Sequence, residues 1–158
     1  MRTTRIFSLI LMAVASLSAY AQKVVTAKSP DGQTSVNVTL SDRIYYDVVS
    51  HNETLLKQSV IGMQLRDKTL GAKPALKKKS VRTVKETIKP LFPLKYREVE
   101  NNSTLLTLDM KGGYAVEFRL YNDGVAWRMK TSLPGEIEVM EEKTLFQLAD
   151  NCDLVLQQ

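Results

Sequence analysis

The 158-residue chain has one cysteine (Cys152), one histidine (His51) and one tryptophan (Trp127). A lone cysteine closes no internal disulfide, so the fold must rest on apolar burial. His51 lies in a polar turn, "SHNE", with no serine or cysteine at a motif position to activate, and reads as a solvated turn residue. Cys152 belongs to no recognisable Cys/His signature and reads as a passive thiol. Gly112-Gly113 is followed by no phosphate-loop pattern, which leaves a turn. There is no EF-hand-like loop, no repeat of fixed period and no long amphipathic helical stretch. The absence of a repeat argues against a propeller or solenoid.

Long apolar runs are also scarce. The one sustained run, residues 6–15, is broken only by Ser8 and follows Arg2 and Arg5. At about ten residues it is half of what a helix needs to cross a bilayer. Ala19-Tyr20-Ala21 then supplies the small-x-small pattern of a signal peptidase site. Residues 1–21 are therefore expected to be a signal peptide and the product to be exported, to the periplasm or beyond. No cysteine follows the cleavage site, so no lipid anchor is expected. Of the 22 basic residues, Arg2 and Arg5 leave with the leader, and 20 remain against 17 acidic, a net charge of about +3. That balance favours neither a nucleic acid nor a membrane as partner. Residues 22–158 suffice for one domain.

What is present is strand after strand. "KVVTAK" meets the turn "SPDG", where Pro30 presets φ and Gly32 accepts a positive φ. "QTSVNVTL" sets Val36, Val38 and Leu40 on one face. "IYYDVVS" and "VIGMQLR" follow across polar turns, and "STLLTLDM" and "EIEVMEEKTLFQLAD" come later. β-Branched residues at period two between turns are the strand signal. About eight to ten short strands point to an antiparallel sandwich or barrel. Residues 70–92 differ, with Lys77, Lys78, Lys79, Arg82, Lys85 and Lys89 among prolines. A helix over 78–89 has too few apolar positions, and a solvated, partly irregular connection is expected there.

The most sharply marked stretch is "YAVEFRLYNDGVAWRMK", residues 114–130. With Asp123-Gly124 as a two-residue type I′ turn, Leu120 faces Trp127 and Phe118 faces Met129 on a buried side. Arg119 then faces Arg128, and Glu117 faces Lys130. Trp127 shares its face with Leu120, Phe118 and Met129, which makes it a core residue before a sugar platform.

Carboxylate acid–base chemistry needs two carboxyl groups that face one another across the reacting bond. Glu98 with Glu100 and Glu136 with Glu138 are i, i+2 pairs on strand-like stretches. Each pair shares one face, as a solvated row does, and Glu141-Glu142 is likewise exposed. Asp150, Asn151 and Asp153 read as a polar loop. No residue is assigned as catalytic, cofactor-binding or metal-binding.

"FRLYNDGVAWRM" resembles a signature hairpin in the N-terminal domain of glycoside hydrolase family 97, exported α-glucosidases and α-galactosidases. Four further pieces agree in order: "AKSPDGQTSVNVTLSDRIYYDVV", "TLLKQSVIGMQL", "VKETIKPLFPLKYREVENNSTLLTLDM" and "EEKTLFQLADN". The resemblance implies an all-β fold, an antiparallel β-supersandwich of the galactose-mutarotase-like kind, here partial. It further implies a catalytic (β/α)₈ barrel downstream and a calcium in the complete enzyme, with no cofactor held by this chain. A barrel needs about 250 residues, more than this chain supplies. The expected role is a non-catalytic scaffold that helps complete a site for α-linked oligosaccharides. Two alternatives stand beside it. One is a free-standing carbohydrate-binding module with Tyr45, Tyr46, Tyr114 or Tyr121 as stacking platforms. The other is a closed eight-stranded barrel for a small apolar ligand.

Overall fold

The computed structural model describes residues 22–92 and 95–149. The signal peptide expected over 1–21 and the cluster Asp150, Asn151, Cys152 and Asp153 lie outside the described residues. Eleven strands and no helix occur among those described. They are β1 (Lys23–Lys28), β2 (Thr34–Leu40), β3 (Ile44–Ser50), β4 (Glu53–Ile61), β5 (Met63–Leu65), β6 (Thr69–Leu70), β7 (Leu76–Ile88), β8 (Val99–Met110), β9 (Tyr114–Leu120), β10 (Val125–Thr131) and β11 (Val139–Glu142).

All pairings are antiparallel. One sheet has the order β1-β2-β3-β4, a second β10-β9-β8-β7, and a three-stranded ribbon β11-β5-β6. Period two decides what each strand buries. In β2, Thr34, Val36, Val38 and Leu40 are buried while the residues between them are half exposed. Ile44 and Tyr46 of β3 meet Leu106 and Leu108 of β8 and Val116, Phe118 and Leu120 of β9 in one core. The Tyr46 and Phe118 rings lie 5.7 Å apart, one from each sheet. The molecule is a β-sandwich. Among the described residues no strand bonds the outer side of β1, β7 or β10, so neither large sheet closes on itself and the closed-barrel alternative does not hold.

Residues 76–88 correct the expectation of an irregular connection. They form a 13-residue edge strand paired with β8 from Leu76 to Ile88. Only Val84 is buried along it, so backbone ladder bonds hold the strand, and no apolar alternation was there to announce it.

The 114–130 hairpin has the expected faces in a different register. Val125 pairs with Leu120, Trp127 with Phe118, Arg128 with Glu117 and Met129 with Val116. The turn is Asn122-Asp123, closed by the Tyr121 amide donating to the Gly124 carbonyl at 2.8 Å, and none of these residues has a positive φ. A two-residue shift preserves the buried face and changes every partner. It replaces an Arg119–Arg128 juxtaposition with an opposite-charge pair, Glu117–Arg128. The primed-turn geometry occurs instead between β3 and β4, where His51 and Asn52 have φ of 52° and 64°.

Candidate functional site

Three surface features could carry function. The first is the outer face of the second sheet. Glu117 is buried there, 2.7 Å from Arg128 Nε and 3.2 Å from Lys130 Nζ. Burial alone would push its carboxyl up. The hydrogen bonds from Arg128 and Lys130 outweigh that and hold it below its ordinary value of 4.5. Such a carboxylate stays ionised with its lone pairs occupied, the opposite of a general acid. Nearby Asn101 donates to Glu86 and Ser103 to Asn101, while Arg119 lies 3.8 Å from Glu86. These groups satisfy one another.

The second is a cavity of about 760 Å³ at one end of this sheet, beneath the Gly112-Gly113 turn. Lys77, Lys78, Lys111 and Lys130 line it, with Asp109 as its one carboxylate. Gly112 and Gly113 have φ of 95° and 78°. A Cβ at Gly113 would come 3.0 Å from a Leu133 methyl, which a rotation of that side chain relieves, so it is the positive φ that favours glycine here. A cavity with one acid among four cations lacks the paired carboxyls of glycoside hydrolysis.

The third is a cleft of about 290 Å³ between β10 and the strip 142–144. Met63, Trp127 and Met129 are its apolar lining, and Thr144 contributes a buried hydroxyl with no hydrogen-bond partner among the described residues. Trp127 is half-buried, its ring 6.4 Å from Tyr46 in edge geometry. The core reading of Trp127 holds for one side of the ring, and the other side meets the cleft.

Of the acidic pairs weighed from sequence, Glu136 and Glu138 line one recess with Asp67, where Arg66 and Lys68 supply cations. Glu98 is exposed and bridged to Lys89 at 2.9 Å. Glu138 accepts from Arg66 Nε at 2.7 Å, and Glu141 lies 3.7 Å from Lys143. Glu100, Glu136 and Glu142 are also exposed. His51 is exposed in its turn, with Nδ1 3.0 Å from the Ser50 hydroxyl. Two of the four tyrosines cannot serve as platforms. Tyr46 is a core residue, and Tyr114 is buried with its hydroxyl accepting from the Gly71 amide at 3.3 Å. Tyr45 and Tyr121 remain half exposed, and Tyr45 donates to Asp42 at 3.3 Å. Tyr45 and Tyr46 do face opposite sides of β3, as alternation requires. No three His, Cys, Asp or Glu side chains among the described residues gather as a metal site needs, so none is assigned to calcium. The Glu117 cluster was missed in the sequence, although Glu117 and Arg128 flank one turn.

Residues 27–158 match the family described as Glycosyl-hydrolase 97 N-terminal. The chain belongs to that family. Over 123 residues it is 39% identical to a retaining alpha-galactosidase of Bacteroides thetaiotaomicron, covering 76% of this chain and 18% of the relative. Among solved structures, a beta-arabinopyranosidase superposes with a TM-score of 0.70 at 24% identity, over 79% of this chain and 21% of that one. A glycoside hydrolase family 97 enzyme from Pseudoalteromonas sp. strain K8, solved with panose, superposes with a TM-score of 0.69 at 19% identity, over 80% and 20%. These two share the fold. The family 97 N-terminal chain thus spans about a fifth of the length of the proteins it resembles.

Proposed function

We propose that this domain is the non-catalytic N-terminal β-sandwich of an exported α-glycosidase. It braces a catalytic domain and helps form the surround of a site for α-linked oligosaccharides. The observation that carries this reading is the state of its carboxylates. Among the described residues the one buried acid, Glu117, is neutralised by Arg128 and Lys130, and Glu98, Glu100, Glu136, Glu138, Glu141 and Glu142 are all exposed. The short coverage of the relatives supports the same division of labour. Chemistry and any calcium then belong to polypeptide outside this domain.

Activity of the isolated chain is the direct test. Purified protein incubated with p-nitrophenyl α-galactoside and α-glucoside, with and without calcium, is expected to release no nitrophenol above the buffer blank. Turnover that co-elutes with the pure chain would refute the proposal. Carbohydrate contact is tested separately by following Trp127 fluorescence during oligosaccharide titration. Weak or absent saturation is expected, because two of the four candidate tyrosines are in the interior.

A further inference from the structure

The chain contains two Asp-Gly pairs, Asp31-Gly32 and Asp123-Gly124, and each sits in a turn between antiparallel strands. An Asp-Gly pair is open to attack by the glycine amide on the preceding side chain, because glycine puts no Cβ beside its nitrogen. Both aspartates are exposed, so exposure does not separate them. Their hydrogen bonds do.

Asp31-Gly32 is held at both reacting groups. The Asp31 carboxylate accepts from the Ser29 hydroxyl at 2.6 Å and from the Gln33 amide at 3.0 Å. These bonds keep the carboxyl below its ordinary 3.8, in the ionised form that resists a nucleophile. The Gly32 amide donates to the Ser29 carbonyl at 2.9 Å, which fixes the nitrogen that would attack.

Asp123-Gly124 has neither restraint. A turn over Asn122-Asp123 is ordinarily closed by the Gly124 amide donating to the Tyr121 carbonyl. Here only the reverse bond is made, from the Tyr121 amide to the Gly124 carbonyl. Among the described residues the Gly124 amide donates to nothing, and the Asp123 carboxylate has neither a hydrogen bond nor an ion pair.

We propose that Asp123 is a site of spontaneous covalent modification, converting to isoaspartate through a cyclic imide, and that the bonds around Asp31 protect the second pair. The Gly124 nitrogen bonds to the side-chain carbonyl carbon of Asp123 in its protonated form. The amide proton and the carboxyl hydroxyl leave together as one water. Water then adds back to the imide. Breaking the bond from the Gly124 nitrogen to the main-chain carbonyl carbon routes the backbone through the side chain, and breaking the bond formed first restores aspartate. No oxidant or cofactor takes part. The isoaspartate keeps one carboxylate and puts an extra methylene into the main chain beside Asn122. Asn122 ties this turn to the first sheet, its side chain accepting from the Asp31 amide at 3.2 Å and its carbonyl from the Thr34 hydroxyl at 3.5 Å. The added length falls on that tie.

Ageing of the folded chain in warm, mildly acidic buffer is the test. Trypsin releases the two pairs on separate peptides, 29–43 and 120–128. Isoaspartate in each is read as a second chromatographic peak of unchanged mass that resists cleavage before aspartate. It is expected to accumulate in 120–128 at least about tenfold faster than in 29–43. In urea the two rates should converge, because both peptides carry the same Asp-Gly pair. Gly124→Ala needs no positive φ and meets nothing within 4 Å, so it keeps the fold and should suppress conversion at Asp123. Equal rates at the two sites in the folded chain would overturn the proposal. So would an undiminished rate in Gly124→Ala. Glycosidase activity of the isolated chain would defeat the proposed function without altering these rates.

Discussion

Glu117 on β9 sits directly across the ladder from Arg128 on β10, with its Oε2 2.7 Å from Arg128 Nε. The pair selects between two registers that bury the same side chains. Shifted by two residues, Arg119 would stand opposite Arg128, and the turn would center on Asp123-Gly124. The observed register gives Glu117 two cationic partners and leaves Arg119 opposite Ala126.

Glu117→Gln is expected to cost about 1 kcal/mol. Hydrogen bonds to charged groups contribute about 1.5–3 kcal/mol, and here the freed partners Arg128 and Lys130 are more than half exposed and regain water. Chemical denaturation of both proteins at neutral pH measures the difference.

The same carboxylate sets a pH dependence. Its folded pKa lies below the ordinary 4.5, so its stabilisation is present above that value and is lost as pH falls through the folded pKa. Melting curves of the native protein and Glu117→Gln should be separated at pH 6–7 and converge as the pH is taken below about 4. A gap that stays constant down to pH 3 would mean that the charge is irrelevant.

Tyr46 is 1% exposed, and its hydroxyl lies near the polar groups of Trp127 and Ser59 without a well-formed hydrogen bond to either. Burial raises its pKa. Tyr46→Phe keeps the ring contacts with Phe118 and Trp127 and removes a buried hydroxyl that is at best weakly bonded. It is expected to be neutral or stabilising by about 1 kcal/mol, against a loss of about 3 kcal/mol or more for Tyr46→Ala. Urea midpoints of the two variants check the order.

Gly71 has φ of 89°, and a Cβ there would lie 2.7 Å from the Ile61 carbonyl oxygen. Gly32 has φ of 76° with nothing within 4 Å. Gly32→Ala should therefore cost only the left-handed penalty, about 1–2 kcal/mol. Gly71→Ala should cost clearly more, since backbone must also move. Equal melting temperatures for the two variants would show that the close approach is relieved at no cost.

The strands that bury one face were legible because the core demands an apolar residue at every second position. Val36, Val38 and Leu40 are such a set, as are Val116, Phe118 and Leu120. The turn at Gly32 was legible because its φ is one that few other residues accept. β7 was not legible. An edge strand with exposed faces needs backbone partners, and nothing in its side chains names them. The candidate site was opaque for a related reason: Trp127 sits in a row that reads as core, yet one side of its ring meets the cleft beside Met63 and Thr144.

The order of residues by itself determined an all-β fold and the faces of its strands, since alternation and turn chemistry act over a few neighbours, and it carried the resemblance to the family. Only the tertiary structure decided the register of β9 on β10 and the course of 76–88. Those depend on charges and backbone groups that meet across strands, and such meetings leave no period in the chain.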